Sequence, residues 1–168
     1  MRIGYVMTEG RGATNRLLAT LADQLTAQGL RLAGTVQFDQ ECDDGNKCDM
    51  DLRLLPDGPV IRISQNLGAA AQGCRLDPHA LEQAVAMTDQ QIEKGADLLI
   101  INKFGKHEAE GRGFRNTIAL ALDADIPVLI GTNPTNFNAF QDYTSGVADN
   151  AGSNLQSLLN WLALPPSA

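Results

Sequence analysis

Ile3-Gly4-Tyr5-Val6-Met7-Thr8-Glu9-Gly10-Arg11-Gly12-Ala13-Thr14-Asn15-Arg16 is the stretch whose reading decides the fold. Ile3 to Met7 is a short apolar run containing Tyr and Val, the pattern of a buried strand. Thr8 to Gly12 breaks that pattern with glycines and reads as a loop. From Ala13 to Gln28, apolar residues recur at Leu17, Leu18, Leu21 and Leu25, the spacing of one helix face. Gly29 stands where the residue after such a helix is expected. Arg31 to Phe38 then reads as a second strand, so the chain opens strand, glycine loop, helix, strand.

The rest of the chain continues in this manner. Cys48 to Leu55 alternates, Pro56-Asp57-Gly58 is a turn, and Val60 to Ser64 returns, which predicts a β-hairpin over Cys48–Ser64. Asn66 to Arg75 is rich in Gly and Ala and has no clear period. Asp77-Pro78 is a helix start, with Asp as N-cap and Pro in the first turn. Leu81, Val85, Met87 and Ile92 carry that helix to about Gly95. Ala96–Ile101 and Ile126–Gly131 are apolar runs suited to buried strands, with a helix from Phe114 to about Asp123 between them. A short helix at Asn136–Gln141 and a last one at Ser153–Leu164 follow. Strands alternating with helices predict one α/β domain over residues 1–168, three layers thick, with a mainly parallel sheet and a hairpin inserted at about 48–64. In such sheets ligands sit beyond the carboxyl ends of the strands.

Composition narrows the partners. The 168 residues are 43% apolar and 20% charged, enough for one proper core. A net charge of −7 argues against nucleic acid as the main partner, because phosphate backbones need a basic face. No stretch is long and apolar enough to span a bilayer, and the N-terminus lacks the apolar region of a signal peptide, so a cytoplasmic protein is expected. The positive charge is unevenly placed: no Lys or Arg follows Arg115, and Arg11, Arg16, Arg75, Lys103, Lys106, Arg112 and Arg115 all fall in or beside glycine-containing segments. An acidic chain that gathers cations in loops is suited to a small anion.

Three segments could carry chemistry. Gly10, Arg11, Gly12, Ala13, Thr14, Asn15 and Arg16 form a glycine loop entering a helix, whose N–H groups and dipole favour an anion. Set against the phosphate-loop pattern G-x-x-x-x-G-K-[ST], Gly12 is the second glycine and Thr14 the metal-binding hydroxyl, while Ala13 replaces the lysine and Met7 the first glycine. A tight strand-to-helix turn with Thr14 as a cap accounts for the same residues. The second segment is Asn102 to Arg115. Nucleotide hydrolysis needs an Asp after the core strand to hold Mg²⁺, and a Glu to activate water, but Asn102-Lys103 stands there. Lys103, Lys106, Arg112 and Arg115, interleaved with Glu108 and Glu110, could bind an oxyanion, and Gly105, Gly111 and Gly113 around Phe104 suggest a specific backbone path. A solvated loop of mutually paired charges is the alternative. The third segment joins Arg62 and Ser64 on one strand face to Cys74 and Arg75 before a helix N-terminus, where a thiol pKa is lowered. Cys74 as a small buried residue is the simpler account.

Cys42, Cys48 and Cys74 are too few for a disulfide framework, and Cys42-x5-Cys48 lacks the close pairing of a zinc site, so no metal is assigned.

The order of elements, with Ala96-Asp97-Leu98-Leu99-Ile100-Ile101, then Gly105-Lys106-x-Glu108, then Ile126 to Gly131, resembles the small archaeal-type and cancer-related nucleoside-triphosphatase family over roughly residues 1–135. More closely, the chain resembles a bacterial domain-of-unknown-function family, placed with P-loop proteins and associated with molybdate-transport genes. The motifs are Cys48-Asp49-Met50-Asp51-Leu52, Ile63-Ser64-Gln65-Asn66-Leu67-Gly68, Gly73-Cys74-Arg75-Leu76-Asp77-Pro78 and Asn102-Lys103-Phe104-Gly105-Lys106 through Phe114. The resemblance implies a link to molybdenum or tungsten handling and supplies no activity. The leading expectation is a non-hydrolytic protein that binds molybdate, tungstate or a phosphate-containing molecule through residues 10–16 and 102–115. One alternative is an atypical nucleotidase or nucleotide-dependent transferase, with Lys103 or Lys106 for the missing lysine and Glu108 or Glu110 as metal ligand or base. Another is a module that docks on a transporter subunit or metalloenzyme through an exposed loop at Phe104. A nucleotide as ligand and a homo-oligomer both stay open.

Overall fold

The computed structural model describes residues 2–10, 12–39, 49–65 and 76–163. The strands are β1 (Ile3–Val6), β2 (Leu32–Asp39), β3 (Met50–Leu54), β4 (Val60–Arg62), β5 (Leu98–Ile101), β6 (Val128–Gly131) and β7 (Asp149–Asn150). The helices are α1 (Ala13–Ala27), α2 (Pro78–Lys94), α3 (Lys106–Ala109), α4 (Arg115–Asp123), α5 (Phe137–Thr144) and α6 (Leu155–Ala163). The strands form one seven-stranded sheet in the order β4-β3-β2-β5-β6-β1-β7. β2, β5, β6, β1 and β7 run parallel, and the β3–β4 hairpin adds antiparallel strands at the β2 edge.

Each strand that the sequence marks as a continuous apolar run lies inside the sheet. β5 and β6 are buried along their whole length, because helices cover both faces. Leu18, Leu21, Ala22 and Leu25 form the buried stripe of α1 and pack with Leu158 and Trp161 of α6 on one face. Ala84, Val85 and Ile92 of α2 pack with Ile118 and Ala121 of α4 on the other. Asp77 caps α2 as expected, its Oδ1 accepting from the N–H groups of His79 (3.0 Å) and Ala80 (3.3 Å).

Three features depart from the sequence reading. β7 is a two-residue edge strand that no apolar run announces, since Asp149 and Asn150 are both exposed. The segment after β5 contains the one-turn helix α3. Phe104, expected in an exposed loop, is fully buried and packs edge-on against Phe140 at 5.4 Å between ring centroids and beside Tyr143 at 5.6 Å. The glycine-rich surroundings of Phe104 let the backbone turn back so that the ring joins the core, where its burial is worth roughly 2–3 kcal/mol. An exposed Phe104 surface for docking is thereby corrected. The stretch 66–75, with Cys74 and Arg75, lies outside the described residues, as do Arg11, Cys42 and Cys48.

Gly34 shows how tightly β2 is held. Its φ is +109°, and a Cβ there would sit 1.9 Å from the carbonyl oxygen of Ile100 on β5. Its N–H donates to Gln91 Oε1 of α2 at 3.3 Å, and its carbonyl accepts from Leu55 N–H at 2.9 Å. Gly34→Ala is therefore expected to lower stability by about 3 kcal/mol, roughly 6–12 °C in Tm. Thermal denaturation checks this, and an unchanged Tm would refute the close approach.

Candidate functional site: a polar cleft and its apolar neighbour

The carboxyl ends of β1, β2, β5 and β6 surround a polar cleft of about 180 Å³. Gly10, Gly12, Thr14 and Asn15 enter it from the loop after β1 and the first turn of α1. Gln37 and Asp39 come from β2, Asn102 and Lys103 from the end of β5, and Thr132 and Asn133 from the end of β6. Two glycines allow this convergence. Gly12 is the N-cap of α1 in the left-handed region (φ 73°). At Gly131, a Cβ would lie 2.2 Å from the Asn102 carbonyl oxygen and 3.0 Å from Thr14 Cγ2.

Asn102 is the centre of the cleft's hydrogen bonding. It is buried, and its Oδ1 accepts from the Gln37 N–H at 2.9 Å. Its Nδ2 donates to Asn15 Oδ1 at 2.7 Å. Asn15 Nδ2 donates in turn to Asp39 Oδ2 (3.3 Å), and Gln37 Nε2 donates to Asp39 Oδ1 (2.9 Å). The amides thus form a relay that ends on a carboxylate. Thr14 Oγ1 lies 2.7 Å from Thr8 Oγ1 and accepts from the Thr8 N–H at 3.3 Å, so its hydroxyl is turned back onto the exit of β1.

One cation lines the cleft and a second lies beside its glycine loop. Lys103 lines it and is exposed. Arg16 folds back across the loop, with Nη1 2.9 Å from where a Cβ on Gly12 would be. The other cations named from sequence go elsewhere. Arg112 pairs with Glu110. Arg115 lies over the Tyr143 ring at 4.8 Å, with Nη1 donating to the Glu108 carbonyl at 3.3 Å. Arg62 pairs with Asp51 (3.0 Å) and Asp49 (3.4 Å) on the hairpin. Ser64 Oγ accepts from the Met50 N–H at 3.1 Å and donates to Asp49 at 3.2 Å. None of these four residues lines the cleft.

A second cavity of about 190 Å³ adjoins the first and shares Gln37, Asn102 and Lys103 with it. Gly105, Lys106 and Glu108 border it. Glu108, a candidate base from sequence, has both carboxylate oxygens engaged: Oε1 accepts from Gly105 N–H at 2.9 Å and Oε2 from Phe114 N–H at 3.1 Å. It staples the two ends of its own loop together. Burial pushes its pKa up, and the backbone N–H groups oppose that only in part. Among the described residues, no three His, Cys, Asp or Glu side chains converge as a metal site would require.

Gln37, Asp39, Thr132 and Asn133 were not singled out in the sequence. Gln37 and Asp39 end a strand distant in sequence from Asn102, and Thr132-Asn133 simply follows an apolar run. The strand order that places them together is not a local property.

The comparisons agree with this architecture. A family model described as "Protein of unknown function (DUF2478)" matches residues 3–161. The "Molybdenum import ATP-binding protein ModC 2" of Bradyrhizobium diazoefficiens is 33% identical over 162 residues, 95% of this chain. The chain spans only 18% of that relative's length. THEP1 from the hyperthermophile Aquifex aeolicus has the same fold, with a TM-score of 0.66 at 15% identity, covering 98% of this chain and all of that one. A human cancer-related nucleoside triphosphatase aligns with a TM-score of 0.60 at 18% identity, covering 95% of this chain and 93% of that one. The mixed α/β fold is that of P-loop nucleoside triphosphatases.

Two outcomes follow from the cleft. Asn102→Asp removes the donor to Asn15 and sets a carboxylate against that residue's carbonyl oxygen. It should cost about 2 kcal/mol in denaturant unfolding at neutral pH, and a neutral result would remove Asn102 from the centre of the network. Glu108 has a raised folded pKa, so its stabilising contribution is complete below the ordinary carboxyl value and is lost as pH rises through the folded value. The stability of the wild type minus that of Glu108→Gln should fall as pH rises above the ordinary carboxyl value of about 4. A difference that rises over this range would reverse the assignment.

Proposed function

This chain belongs to that family, and from this premise we propose that it is a non-hydrolytic oxyanion-binding domain linked to molybdenum import. The observation that carries the reading is the engaged carboxamide of Asn102. Mg²⁺-dependent hydrolysis needs a carboxylate free at the end of this strand. Here a buried amide stands there with donor and acceptor both used. Ala13 occupies the position of the phosphate-loop lysine, and the Thr14 hydroxyl faces Thr8. Each change removes a part that hydrolysis requires, while the loop glycines, the start of α1, Arg16 and Lys103 still favour a negative charge. A tetrahedral dianion such as molybdate or tungstate, or a phosphate-containing molecule, is the ligand class that suits this arrangement. The ModC 2 relative is by its name a molybdenum import protein, which supports the molybdenum connection. The domain's role would be to sense, deliver or store the anion.

A nucleotide-processing reading draws on Asp39, a carboxylate facing the cleft from β2. Its two oxygens already accept from Asn15 and Gln37, so it would have to exchange those bonds for a metal ion. Magnesium-dependent phosphate release that is lost in Asp39→Asn would establish that reading.

Isothermal titration with molybdate, tungstate, sulfate, phosphate and nucleotides is the direct test. At least one anion should bind, more weakly as salt rises. Lys103→Ala should weaken it by about tenfold, the loss of one charge-assisted hydrogen bond. Absence of heat with every ligand at millimolar concentration would overturn the proposal.

A further inference from the structure

We propose that the cavity enclosed by β2, the hairpin and α2 is a binding compartment for a six-membered aromatic or heteroaromatic ring that carries an acidic group. One side of it is apolar, made by Met50, Leu52, Ile63, Leu76, Leu81 and Phe114, and the side toward the strand ends carries the polar Gln37, Asn102, Asn136 and Glu108. The lining also includes Thr35, a polar side chain that is 1% exposed. Its Oγ1 is buried and has no hydrogen-bond partner among the described residues. Lys103, Lys106 and His107 also border the space, and both lysines are exposed. An apolar side with one buried hydroxyl, and a rim where Lys103 and Lys106 are exposed while Glu108 is buried with both oxygens bonded to backbone N–H groups, match a flat apolar body with one polar edge and one negative group.

The size agrees. The cavity measures about 190 Å³, and an apolar cavity of about 150 Å³ is known to admit a benzene ring. Water is a poorer occupant. A buried water needs roughly two to four polar partners. Of the amides near Thr35, Asn102 already bonds Gln37 and Asn15, and Gln37 Nε2 already donates to Asp39, so part of their capacity is used within the protein. Buried hydroxyls are almost always paired, so Thr35 marks a hydrogen bond still to be made. A ligand edge supplies it. This compartment stands apart from the anion-cleft reading, although the two spaces meet at Gln37, Asn102 and Lys103.

Methyl-resolved NMR of the whole chain tests the assignment, with benzoate and nicotinate as the ring probes and inorganic molybdate as the cleft probe. The ring probes should shift the methyl signals of Met50, Leu52, Ile63 and Leu81. Thr35→Val should weaken nicotinate by roughly five- to tenfold. The same substitution should keep or raise Tm, because it replaces an unpaired hydroxyl with a methyl of equal size. No methyl shift at millimolar ring probe, unchanged nicotinate affinity in Thr35→Val, or a lowered Tm in that variant would each overturn the proposal. A molybdate titration that fails while the ring shifts persist would count against the anion cleft alone and leave the ring compartment standing.

Discussion

The buried carboxamide of Asn102 ties together, at one point, three elements already packed in the sheet and its helix layer. It accepts from the backbone of β2, donates to the first turn of α1, and sits at the end of the central strand β5. A carboxylate has no donor and an aliphatic side chain has neither donor nor acceptor, whereas the amide serves both partners at once. Buried in low dielectric, the arrangement is costly to leave half made. Asn15 takes the donor of Asn102, and Asp39 accepts in turn from the side chains of Asn15 and Gln37.

The relay could form only where backbones come unusually close. Gly131 lets β6 end against the Asn102 carbonyl, and Gly34 lets β2 pass the Ile100 carbonyl on β5. With these contacts in place, the hairpin extends the sheet beyond β2 and walls off the apolar cavity beside the polar cleft. Two spaces of different chemistry therefore share a partition made of Gln37, Asn102 and Lys103. Ala13 stands in the glycine loop and Asn102 at the end of β5, within a fold that P-loop nucleoside triphosphatases share.

The 102–115 segment shows where linear reading reached its end. Its cations look like one basic surface when written in a row. In space Lys103 and Lys106 face the cavities, Arg112 is neutralised by Glu110, and Arg115 packs on Tyr143. Glu108 looks like a candidate base because it is acidic and lies near glycines. It is instead a staple, and Gly113 is required beside it because a Cβ there would meet Glu108 Oε2. Phe104 looks exposed because its neighbours are polar, yet a single aromatic ring gains enough from burial to turn the loop inward.

The strands other than β7, the major helices, the hairpin and the glycine loop were determined by the sequence alone, because each rests on the spacing of apolar residues, a cap or a turn within a few positions. That Ala13 follows Gly12 and Asn102 follows the apolar run of β5 was legible in the same way, as identities at fixed positions. Tertiary structure alone decided which polar groups face one another. Gln37, Asp39 and Asn102 are brought together by the order of strands in the sheet, and Thr35 is left unpaired by what packs around it. Hydrogen bonding and burial depend on separations in space, and separation along the chain does not specify them until the sheet has closed.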